Sequence, residues 1–372
     1  MNGTDLEKMF GSVYKGKKVL VTGHSGFKGS WLSLWLCEMG AQVSGYSLTS
    51  PTTPNHYSLL DMEIDSTTAD ILDKEKLGRT ISRIKPDIVF HLAAQPLVRL
   101  SYDEPVETFT TNVIGTLNVL DECRKSDSVQ ACVVVTSDKV YENREWVWGY
   151  RETDPFGGYD PYSASKGCTE VAVASYRRSF LNPDKYGQSH NLLVATARAG
   201  NVIGGGDWAL DRLLPDVVRA VSKKEPVVIR NPGAIRPWQH VLECLSGYLL
   251  LGEKLLRGNA GYAQGWNFGP EDKDALTVEQ VMLEVEKSWP AFKYTIDDQR
   301  DNHPHEAKYL KLDCSKAKNA LGWKTVWDAE KAINTAIRWY KSFYEVGKAD
   351  SVNDLYAYIQ EAGNGGNAWA HF

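Results

Sequence analysis

Val19-Leu20-Val21-Thr22-Gly23-His24-Ser25-Gly26-Phe27-Lys28-Gly29 decides the fold of this 372-residue chain, because an aliphatic run enters a glycine-rich turn there and an apolar helical pattern follows at 31–36. Glycine lets the backbone approach phosphates, and the N-terminus of a helix offers free N–H groups and a positive dipole end. An ordinary αβ turn would also accept these glycines, but their place in the first strand–helix unit favours a dinucleotide site. The candidate cofactor ligands here are Gly23, His24, Gly26, Phe27, Lys28 and Gly29.

The end of the second predicted strand leaves the choice between NAD and NADP open. NAD enzymes usually place an Asp or Glu there for the ribose hydroxyls, whereas Gly45-Tyr46-Ser47-Leu48-Thr49 contains neither a carboxylate nor an arginine. Asp70 and Ile71, after the predicted third strand, suit a contact with adenine. An N-cap of the helix predicted around Leu72–Ile84 explains Asp70 equally well. The missing carboxylate and the bulk of His24 together predict weak retention of the cofactor.

Short apolar runs alternate with amphipathic stretches over residues 1–199. Buried strands rich in β-branched and aliphatic residues are predicted at Val19–Thr22, Val43–Ser47, Ile88–Ala94, Cys132–Ser137 and Leu192–Arg198. Strands that alternate with helices indicate βαβ units and a parallel sheet covered on both faces. We therefore expect an α/β protein with a Rossmann-type doubly wound parallel sheet.

The sequence changes in character near Gly200, where Gly, Pro, Trp and Asn become frequent. We predict a cofactor domain over 1–199 and a smaller C-terminal α/β substrate domain over 200–372, from which later segments return to the first. A terminal amphipathic helix is predicted over Thr335–Phe343, and the last ten residues are expected to be weakly ordered. One stripe of an earlier predicted helix carries Val106, Phe109, Val113, Leu117 and Leu120.

Composition excludes several classes of protein. Hydrophobic residues make up 42% and charged residues 24%, which is typical of a globular chain, and the net charge of −5 argues against an extended nucleic-acid surface. The six cysteines form no C-x-x-C motif and have no histidine at metal-ligand spacing, so we expect neither a disulfide scaffold nor a metal site. Reduced thiols favour a cytoplasmic enzyme. The polar segment Met1–Phe10 predicts no signal peptide, and no apolar run is long enough to cross a membrane.

A phenol and an ammonium stand one helical turn apart in Tyr162-Ser163-Ala164-Ser165-Lys166. A nearby cation lowers the pKa of a phenol, so Tyr162 is expected to act as a base near neutral pH. The same spacing occurs by chance on many surface helices. Here it follows a nucleotide-binding half and Ser137 at the end of the fifth predicted strand, and this order of Ser, Tyr and Lys is typical of hydride transfer at a carbinol.

Further motifs occur in order along the chain: His91-Leu92-Ala93-Ala94-Gln95, Asn112-x-x-Gly115-Thr116, Arg198-x-x-Asn201-Val202-x-Gly204, Arg236-x-Trp238-x-His240-Val241 and Asn267-Phe268-Gly269. With the glycine turn and the Tyr162–Lys166 pair, they make essentially the whole chain resemble the extended short-chain dehydrogenase/reductases that act on nucleotide sugars. The resemblance implies NAD as the cofactor, with Ala93 and Ala94 beside it and Gln95 near the substrate.

The segment after the fifth predicted strand separates activities within that family. Thr136-Ser137-Asp138-Lys139 is similar to the Thr-Asp-Glu pattern of sugar-nucleotide 4,6-dehydratases, with Ser for Thr and Lys for Glu. Epimerases lack an acid/base pair there. The Asp-Lys variant, together with Gly204-Gly205-Gly206-Asp207-Trp208-Ala209, most resembles the dehydratases that act on CDP-D-glucose. This resemblance implies conversion of CDP-D-glucose to CDP-4-keto-6-deoxy-D-glucose for deoxysugar synthesis.

The resemblance also implies a role for each catalytic candidate. Tyr162, with Lys166 and Ser137, takes the proton of the C4 hydroxyl while hydride passes from C4 to NAD. The 4-ketone acidifies the C5 proton, which Lys139 abstracts as a neutral amine, and Asp138 as a neutral acid protonates the departing C6 hydroxyl. NADH then returns hydride to C6. Because an adjacent Asp and Lys normally form an ion pair, the site must desolvate them or pass a proton between them; a surface salt bridge is the alternative.

Substrate ligands and a homodimer complete the expectations. Asn201 and Arg236 are candidates for the diphosphate of the sugar nucleotide, because arginine presents a planar fork of donors. A salt bridge between domains is the alternative role of Arg236, and Arg212 is a further candidate ligand. The helices Phe109–Leu120 and Cys168–Tyr176 carry widely spread apolar residues, and the family commonly pairs these helices across a two-fold axis.

Two other classes of function remain open. An epimerase or an NADP-dependent reductase would use the same fold, and dependence on an added hydride donor would identify the reductase. A non-catalytic regulator that senses a dinucleotide is expected to have lost Tyr162 or Lys166, and both are present.

Overall fold

One large parallel sheet organises the chain. The computed structural model describes residues 3–229, 231–296 and 309–371. In chain order the strands are β1 (Lys18–Thr22), β2 (Gln42–Ser47), β3 (Asp65–Thr68), β4 (Ile88–His91), β5 (Ala131–Val135), β6 (Leu193–Ala199), β7 (Val202–Ile203), β8 (Val227–Ile229), β9 (Ile235–Pro237), β10 (Gln239–His240), β11 (Gly265–Phe268), β12 (Ala275–Thr277) and β13 (Tyr294–Ile296). In this described part, seven strands form the sheet in the order β11-β6-β5-β4-β1-β2-β3, and the pairs β7–β10, β9–β12 and β8–β13 form small sheets.

Helices follow most strands of the large sheet. They are α1 (Gly3–Leu6), α2 (Phe27–Glu38), α3 (His56–Leu59), α4 (Lys74–Ile84), α5 (Val98–Asp103), α6 (Pro105–Phe109), α7 (Gly115–Lys125), α8 (Pro161–Ser179), α9 (Leu213–Lys223), α10 (Val241–Leu256), α11 (Val278–Ser288), α12 (Ala329–Val346) and α13 (Ser351–Asn364). The turn Thr110–Ile114, which joins α6 to α7, has π-helical hydrogen bonding. The predicted α/β fold with a doubly wound parallel sheet is confirmed.

The large sheet is buried on both faces, because alternate residues of each strand point to opposite sides. Val19 and Val21 of β1 pack in one core with α2, α10 and α13. Leu20 packs on the other face with α4, α7 and α8. A separate core joins α9, α11 and α12. No helix in the described ranges has both the length and the apolar character that a bilayer span requires.

The later part of the chain returns to the large sheet through α10 and β11. Strand β11 pairs in parallel with β6, from Gly265 opposite Thr196 to Phe268 opposite Ala199. Helix α10 shares its core with β1 and β4. The predicted boundary between residues 199 and 200 itself stays a prediction.

Two expectations about the C-terminal part are wrong. The helix predicted over Thr335–Phe343 lies inside α12 but is not terminal, because α13 follows it. Of the last ten residues, 363–371 are described, and Trp369 is buried there. Its indole stacks on Phe10 with ring centroids 5.1 Å apart. Apolar packing therefore orders a segment whose glycine and asparagine content predicts weak order.

The apolar stripe after Pro105 does not face the core in its first half. Val106 is 78% exposed and Phe109 is also exposed, whereas Thr108 and Asn112 are buried. Only the far end of the stripe, at Leu120, reaches the core. Polar residues thus face α8, and the apolar residues of α6 point outward.

The strand order creates a switch point between β1 and β4, where the chain winds to opposite sides of the sheet. In such sheets, ligands bind at the carboxyl ends of the strands beside the switch point. Gly23 follows β1, Ala93 follows β4, Ser137 follows β5 and Gly200 follows β6. The fold therefore gathers the predicted motifs at one edge of the sheet.

Candidate active site

The loops after β1, β4, β5 and β6 line one cavity of about 1250 Å³. This volume exceeds the range of about 300–1,000 Å³ that is typical for one ligand, so a cofactor and a substrate have room together. The cavity brings together residues that the sequence assigns to cofactor, catalysis and substrate. They are Gly23, Gly26, Phe27, Lys28, Gly29, Asp70, Ile71, Ala93, Ala94, Gln95, Ser137, Asp138, Lys139, Tyr162, Lys166, Asn201, Arg212 and Arg236.

The glycine turn is shaped so that a phosphate can approach the backbone. Gly23 has a φ of +74°, and a Cβ there would lie 2.7 Å from the amide nitrogen of Ala93. A Cβ on Gly29 would collide with the carbonyl of Gly23, so the turn requires both glycines. Helix α2 begins at Phe27, and its N-cap Gly26 makes no side-chain hydrogen bond. The first N–H groups of α2 therefore remain available to an anion.

The side chain of His24 is the exception among the candidate cofactor residues, because it is not among those that line the cavity. It is buried against β2 and β3, with Nε2 lying 2.8 Å from Ser66 Oγ. A Cβ on Gly45 would collide with the imidazole, so the glycine of β2 provides the space. Burial lowers the pKa of His24 to about 4. A neutral ring thus turns away from the phosphate side of the turn.

Asp70 lines the cavity and is not a helix N-cap. Helix α4 begins at Lys74, and Asp73 caps it by accepting a hydrogen bond from the Lys76 N–H at 3.0 Å. Asp70 instead accepts one from the Leu72 N–H at 2.8 Å. The N-cap interpretation of Asp70 is therefore wrong, and a contact with adenine is the interpretation that remains.

Tyr162 and Lys166 are both buried on the first turns of α8. Burial raises the pKa of Tyr162 to about 12, although Ser137 and Arg212 act to lower it. Burial also lowers the pKa of Lys166 to about 8, and its Nζ lies 3.4 Å from the carbonyl oxygen of Val135. The expected low phenol pKa is therefore wrong for the chain by itself, because desolvation of the phenolate outweighs the nearby positive charges.

Asp138 and Lys139 lie on a single 3-10 turn that follows β5. Ser137 Oγ donates to Asp138 Oδ1 at 3.0 Å and accepts from the Lys139 N–H at 3.2 Å. Burial raises the pKa of Asp138 despite the nearby charge of Lys139, so the neutral acid is accessible. In the described part of the chain no ion pair joins the two side chains, and Asp138 is 5% exposed. The alternative of a surface salt bridge is therefore wrong.

Three candidate substrate ligands, Asn201, Arg212 and Arg236, bring polar and positive groups to the same cavity. Arg212 Nη1 lies 2.8 Å from Asp207 Oδ2. Arg236, on β9, donates to the carbonyl oxygen of Ile235 at 2.9 Å, and its charge acts to lower the pKa of Asp138. Asn201 follows β6 and lines that cavity as well. The guanidinium groups suit a diphosphate.

Residues 20–336 match the family model described as GDP-mannose 4,6 dehydratase. The chain belongs to this family. It is 52% identical over 333 residues to the CDP-glucose 4,6-dehydratase of Salmonella typhimurium, covering 89% of this chain and 92% of that protein. It is 25% identical over 351 residues to the dTDP-glucose 4,6-dehydratase of the same organism, covering 87% and 92%. The expected family is confirmed.

Solved structures share the fold of the family. An epimerase from Methanothermobacter thermautotrophicus superposes with a TM-score of 0.75 at 23% identity, covering 93% of this chain and 98% of that one. The UDP-glucose 4-epimerase of Brucella ovis, solved in complex with NAD, superposes with a TM-score of 0.74 at 22% identity, covering 87% and 98%. At such identities the likeness concerns the fold.

In this member of the GDP-mannose 4,6-dehydratase family, the side chain of Gln95 is engaged within the chain. Its Nε2 donates to the carbonyl oxygen of Leu97 at 3.0 Å and to Thr108 Oγ1 at 2.8 Å, and its Oε1 accepts from the Leu97 N–H at 2.5 Å. Asn112, in the π-helical turn, donates to Ser165 Oγ at 2.8 Å. Gln95 thus fixes the cavity wall, and Asn112 holds α8 in place at Ser165, the residue before Lys166.

A buried ion pair close to the candidate catalytic residues is not predicted by the sequence motifs. Arg198 on β6 forms two hydrogen bonds of 2.8 Å with Glu170 on α8. Thr136, next to Ser137, donates to the same carboxylate at 2.5 Å. The pair therefore ties β5, β6 and α8 together. A signal was present, because a charge inside a predicted buried strand needs a partner.

Proposed function

We propose that this chain is a lyase that converts CDP-D-glucose to CDP-4-keto-6-deoxy-D-glucose and water, with NAD as the cofactor. The observation that carries the proposal is the presence of two proton-handling pairs, Asp138–Lys139 and Tyr162–Lys166, in one cavity. One pair suits oxidation of a carbinol, and the other suits elimination of water. The 52% identity to a protein named CDP-glucose 4,6-dehydratase supports CDP-glucose as the substrate.

The glycine turn supports NAD as the cofactor. Backbone at Gly23 and Gly29 is free of side chains where phosphate must approach, and α2 offers uncapped N–H groups. Phe27, Lys28 and the segments 70–71 and 93–94 would hold the rest of the molecule. When bound there, NAD would supply the acceptor for the C4 hydride and the donor for C6, with no net change in its oxidation state.

In the oxidation, Tyr162 takes the proton of the C4 hydroxyl. With a pKa of about 12 the phenol must be stabilised as phenolate for this role. Lys166 stands one turn away on α8, and the charge of Arg212 acts in the same direction. The hydroxyl of Ser137 acts to lower the pKa of the phenol as well. The proton relay thus consists of Ser137, Tyr162 and Lys166.

In the elimination, the 4-ketone makes the C5 proton acidic, and Lys139 takes it. Asp138, which burial favours in its neutral form, gives its proton to the C6 hydroxyl, and the C6–O bond breaks with loss of water. Lys139 then returns a proton to C5 as C6 is reduced. Solvent carries the proton that Tyr162 gained to Asp138. The sum is the loss of one water with no net oxidation.

The substrate's diphosphate is placed against Arg236 and Asn201, with Arg212 as a further cation near the sugar. These residues line the same cavity as the glycine turn. Arg236→Met should therefore raise the KM for the nucleotide sugar more than it lowers kcat. An unchanged KM would remove Arg236 from the substrate site and leave its alternative role in a salt bridge between domains.

We also propose a cytoplasmic homodimer. The six cysteines are free thiols, which fits a reducing compartment. Exposed apolar residues include Val106 and Phe109 on α6, Val171 on α8 and Phe180 just after it. Sedimentation at micromolar concentration should give a dimer, and Val171→Lys should give a monomer. A monomeric unmodified chain would contradict the dimer.

A panel of nucleotide hexoses tests the proposed reaction. The chain should turn CDP-glucose, but not the dTDP, UDP or GDP sugars, into a product with the alkaline absorbance of a 4-keto-6-deoxy sugar, and added NAD should stimulate it. A C4-inverted hexose as product would identify an epimerase instead. Consumption of an added reduced cofactor in proportion to product would identify a reductase.

A further inference from the structure

The buried ring of His56, on α3, joins parts of the chain that lie far apart in sequence. His56 is 1% exposed. Its Nδ1 lies 2.8 Å from Ser30 Oγ on α2, and its Nε2 lies 2.8 Å from Ser351 Oγ at the start of α13. The ring of Trp31 stacks on it with centroids 4.7 Å apart. A Cβ on Gly206 would collide with the ring, so the glycine loop 204–206 also packs against it.

The neighbouring groups fix which atom donates and which accepts in each hydrogen bond of His56. Trp339 Nε1, which can only donate, bonds to Ser351 Oγ at 2.9 Å. Ser30 Oγ donates its single proton to the carbonyl oxygen of Phe27, also at 2.9 Å. Ser30 must then accept from His56 Nδ1, and Ser351 must donate to His56 Nε2. Burial lowers the pKa of His56 to about 3, so the neutral ring keeps this arrangement at physiological pH.

This series of hydrogen bonds, from Trp339 to Phe27, ends at the glycine turn. Phe27 is the first residue of α2, and Ser30 follows Gly29 directly. At the far end of α2, Tyr356 of α13 donates to Glu38 Oε2 at 2.5 Å. Helix α13 therefore holds both ends of α2. It begins at Ser351, beyond residue 336 where the match to the family model ends, and Ser351 is not among the residues that line the cavity.

His56 itself lines the cavity, beside Gly206 of the glycine loop. Trp31 Nε1 donates to the carbonyl oxygen of Gly205 at 2.9 Å, and a Cβ on Gly205 would collide with Trp339. The glycine loop leads to Asp207, the partner of Arg212. The turn that faces the cofactor and the loop that faces the substrate are therefore packed against one neutral imidazole.

We propose that His56 is a positioning residue through which α13 and the glycine loop hold the cofactor-binding turn, so that the affinity for NAD depends on a helix outside the cavity. The inference rests on the proposed use of NAD. It assigns no chemical step to His56. Removing the hydroxyl of Ser351 should loosen the turn, because His56 Nε2 then loses its donor while every cavity residue is unchanged.

Calorimetric titration of the full chain with NAD tests the proposal. Ser351→Ala should raise the dissociation constant of NAD about fivefold and His56→Ala about tenfold, within the ordinary range of coupling between distant groups. Ser351→Thr keeps the hydroxyl and should stay within twofold of the unmodified chain. The matched control is Ser33→Ala, because Ser33 is buried on the same helix and its hydroxyl has no partner among the described residues; its NAD affinity should be unchanged.

Melting temperatures separate positioning from plain stability. A lower Tm in Ser351→Ala and His56→Ala with an NAD affinity within twofold of the unmodified chain would overturn the proposal. If His56→Ala fails to fold, Ser351→Ala decides, since it removes one oxygen atom. The titration requires no turnover. A chain that binds NAD and forms no keto sugar would overturn the proposed reaction, whereas an unchanged NAD affinity in both variants overturns only this inference.

Discussion

The two pairs that we propose to handle protons belong to different kinds of local structure. Tyr162 and Lys166 belong to a helix of 19 residues, whose start is capped by Asp160. Asp138 and Lys139 belong to a turn of three residues, held by the hydroxyl of Ser137. The helix pair is buried, whereas Lys139 is half-buried. In the proposed mechanism, oxidation therefore depends on a long helix of the fold, and elimination depends on one short turn.

This difference indicates how an elimination step can be added to a site that performs oxidation. The solved epimerases share the fold with this chain, so the long helix is a feature of the frame. The turn after β5 is where this chain places an acid and a base. The two functions should therefore separate by mutation, with loss of the helix pair abolishing both steps and loss of the turn pair abolishing only the second.

The strongest test removes the phenol. Tyr162→Phe should lower turnover by about 10²–10⁴-fold, the usual span for loss of a general base, and should stop both cofactor reduction and product formation. Its control is Tyr102→Phe, which alters an exposed phenol at the cavity wall and should leave turnover nearly normal. Near-normal turnover in Tyr162→Phe would end the assignment of the redox base.

The second test removes the amine of the turn. Lys139→Met should leave the reduction of NAD by substrate possible and slow elimination by at least about 10²-fold, so absorbance of reduced cofactor should accumulate in a single turnover. In D₂O, the unmodified chain should place deuterium at C5, because an amine exchanges its protons with solvent. Hydride moved from C4 to C6 should carry no solvent deuterium. Elimination at the normal rate in Lys139→Met would shift suspicion to Asp138 or Glu142.

The pH profile of the C4 oxidation should report the loss of the charge on Lys166. The pKa of Lys166 is lowered to about 8 by burial, so its stabilising charge is present below that pH and is lost as the pH rises through it. C4 oxidation also needs the phenolate of Tyr162, whose fraction grows about tenfold per pH unit up to its pKa of about 12. Above about pH 8 the two changes offset each other, so the oxidation rate should rise up to that pH and then level off. Lys166→Arg keeps the charge, so its oxidation rate should go on rising above pH 8. A rate that still rises tenfold per pH unit at pH 9.5 in the unmodified chain would contradict this account.

Much of the site was predictable because its residues follow strands directly. The positions after β1, β4 and β5 are set by local patterns, and the order of parallel strands brings those positions together. Gly23, Ala93 and Ser137 are therefore found where their motifs place them. The catalytic helix was predictable for the same reason, since the spacing from Tyr162 to Lys166 is local.

Properties that depend on burial were not predictable. The pKa of Tyr162 is set by desolvation from segments far away in sequence, so a rule about neighbouring charges gave the wrong direction. Trp369 is ordered by contact with Phe10, at the opposite end of the sequence. Glu170 and Arg198 were each visible in the sequence, but their pairing follows from the contact of α8 with β6.

The smallest expected effect concerns His24, whose bulk in the glycine turn predicts weak binding of NAD. Its ring is directed at Ser66 and fills the space above Gly45, away from the cavity. His24→Ala should therefore change the dissociation constant of NAD by less than about threefold, which corresponds to under about 1 kcal/mol. Its cost should appear in the stability of the fold, through the lost hydrogen bond and the void.

A double-mutant cycle tests that expectation more sharply, because the His24 ring fills the space that a Cβ on Gly45 would need. Gly45→Ala alone should lower Tm, since its Cβ collides with the imidazole. In the His24→Ala background the same change should be tolerated, which gives a coupling in the range of about 0.5–3 kcal/mol expected for residues in contact. Tighter NAD binding by tenfold in His24→Ala would show instead that the ring crowds the cofactor turn. Additive losses of Tm would show that Gly45 makes no space for it.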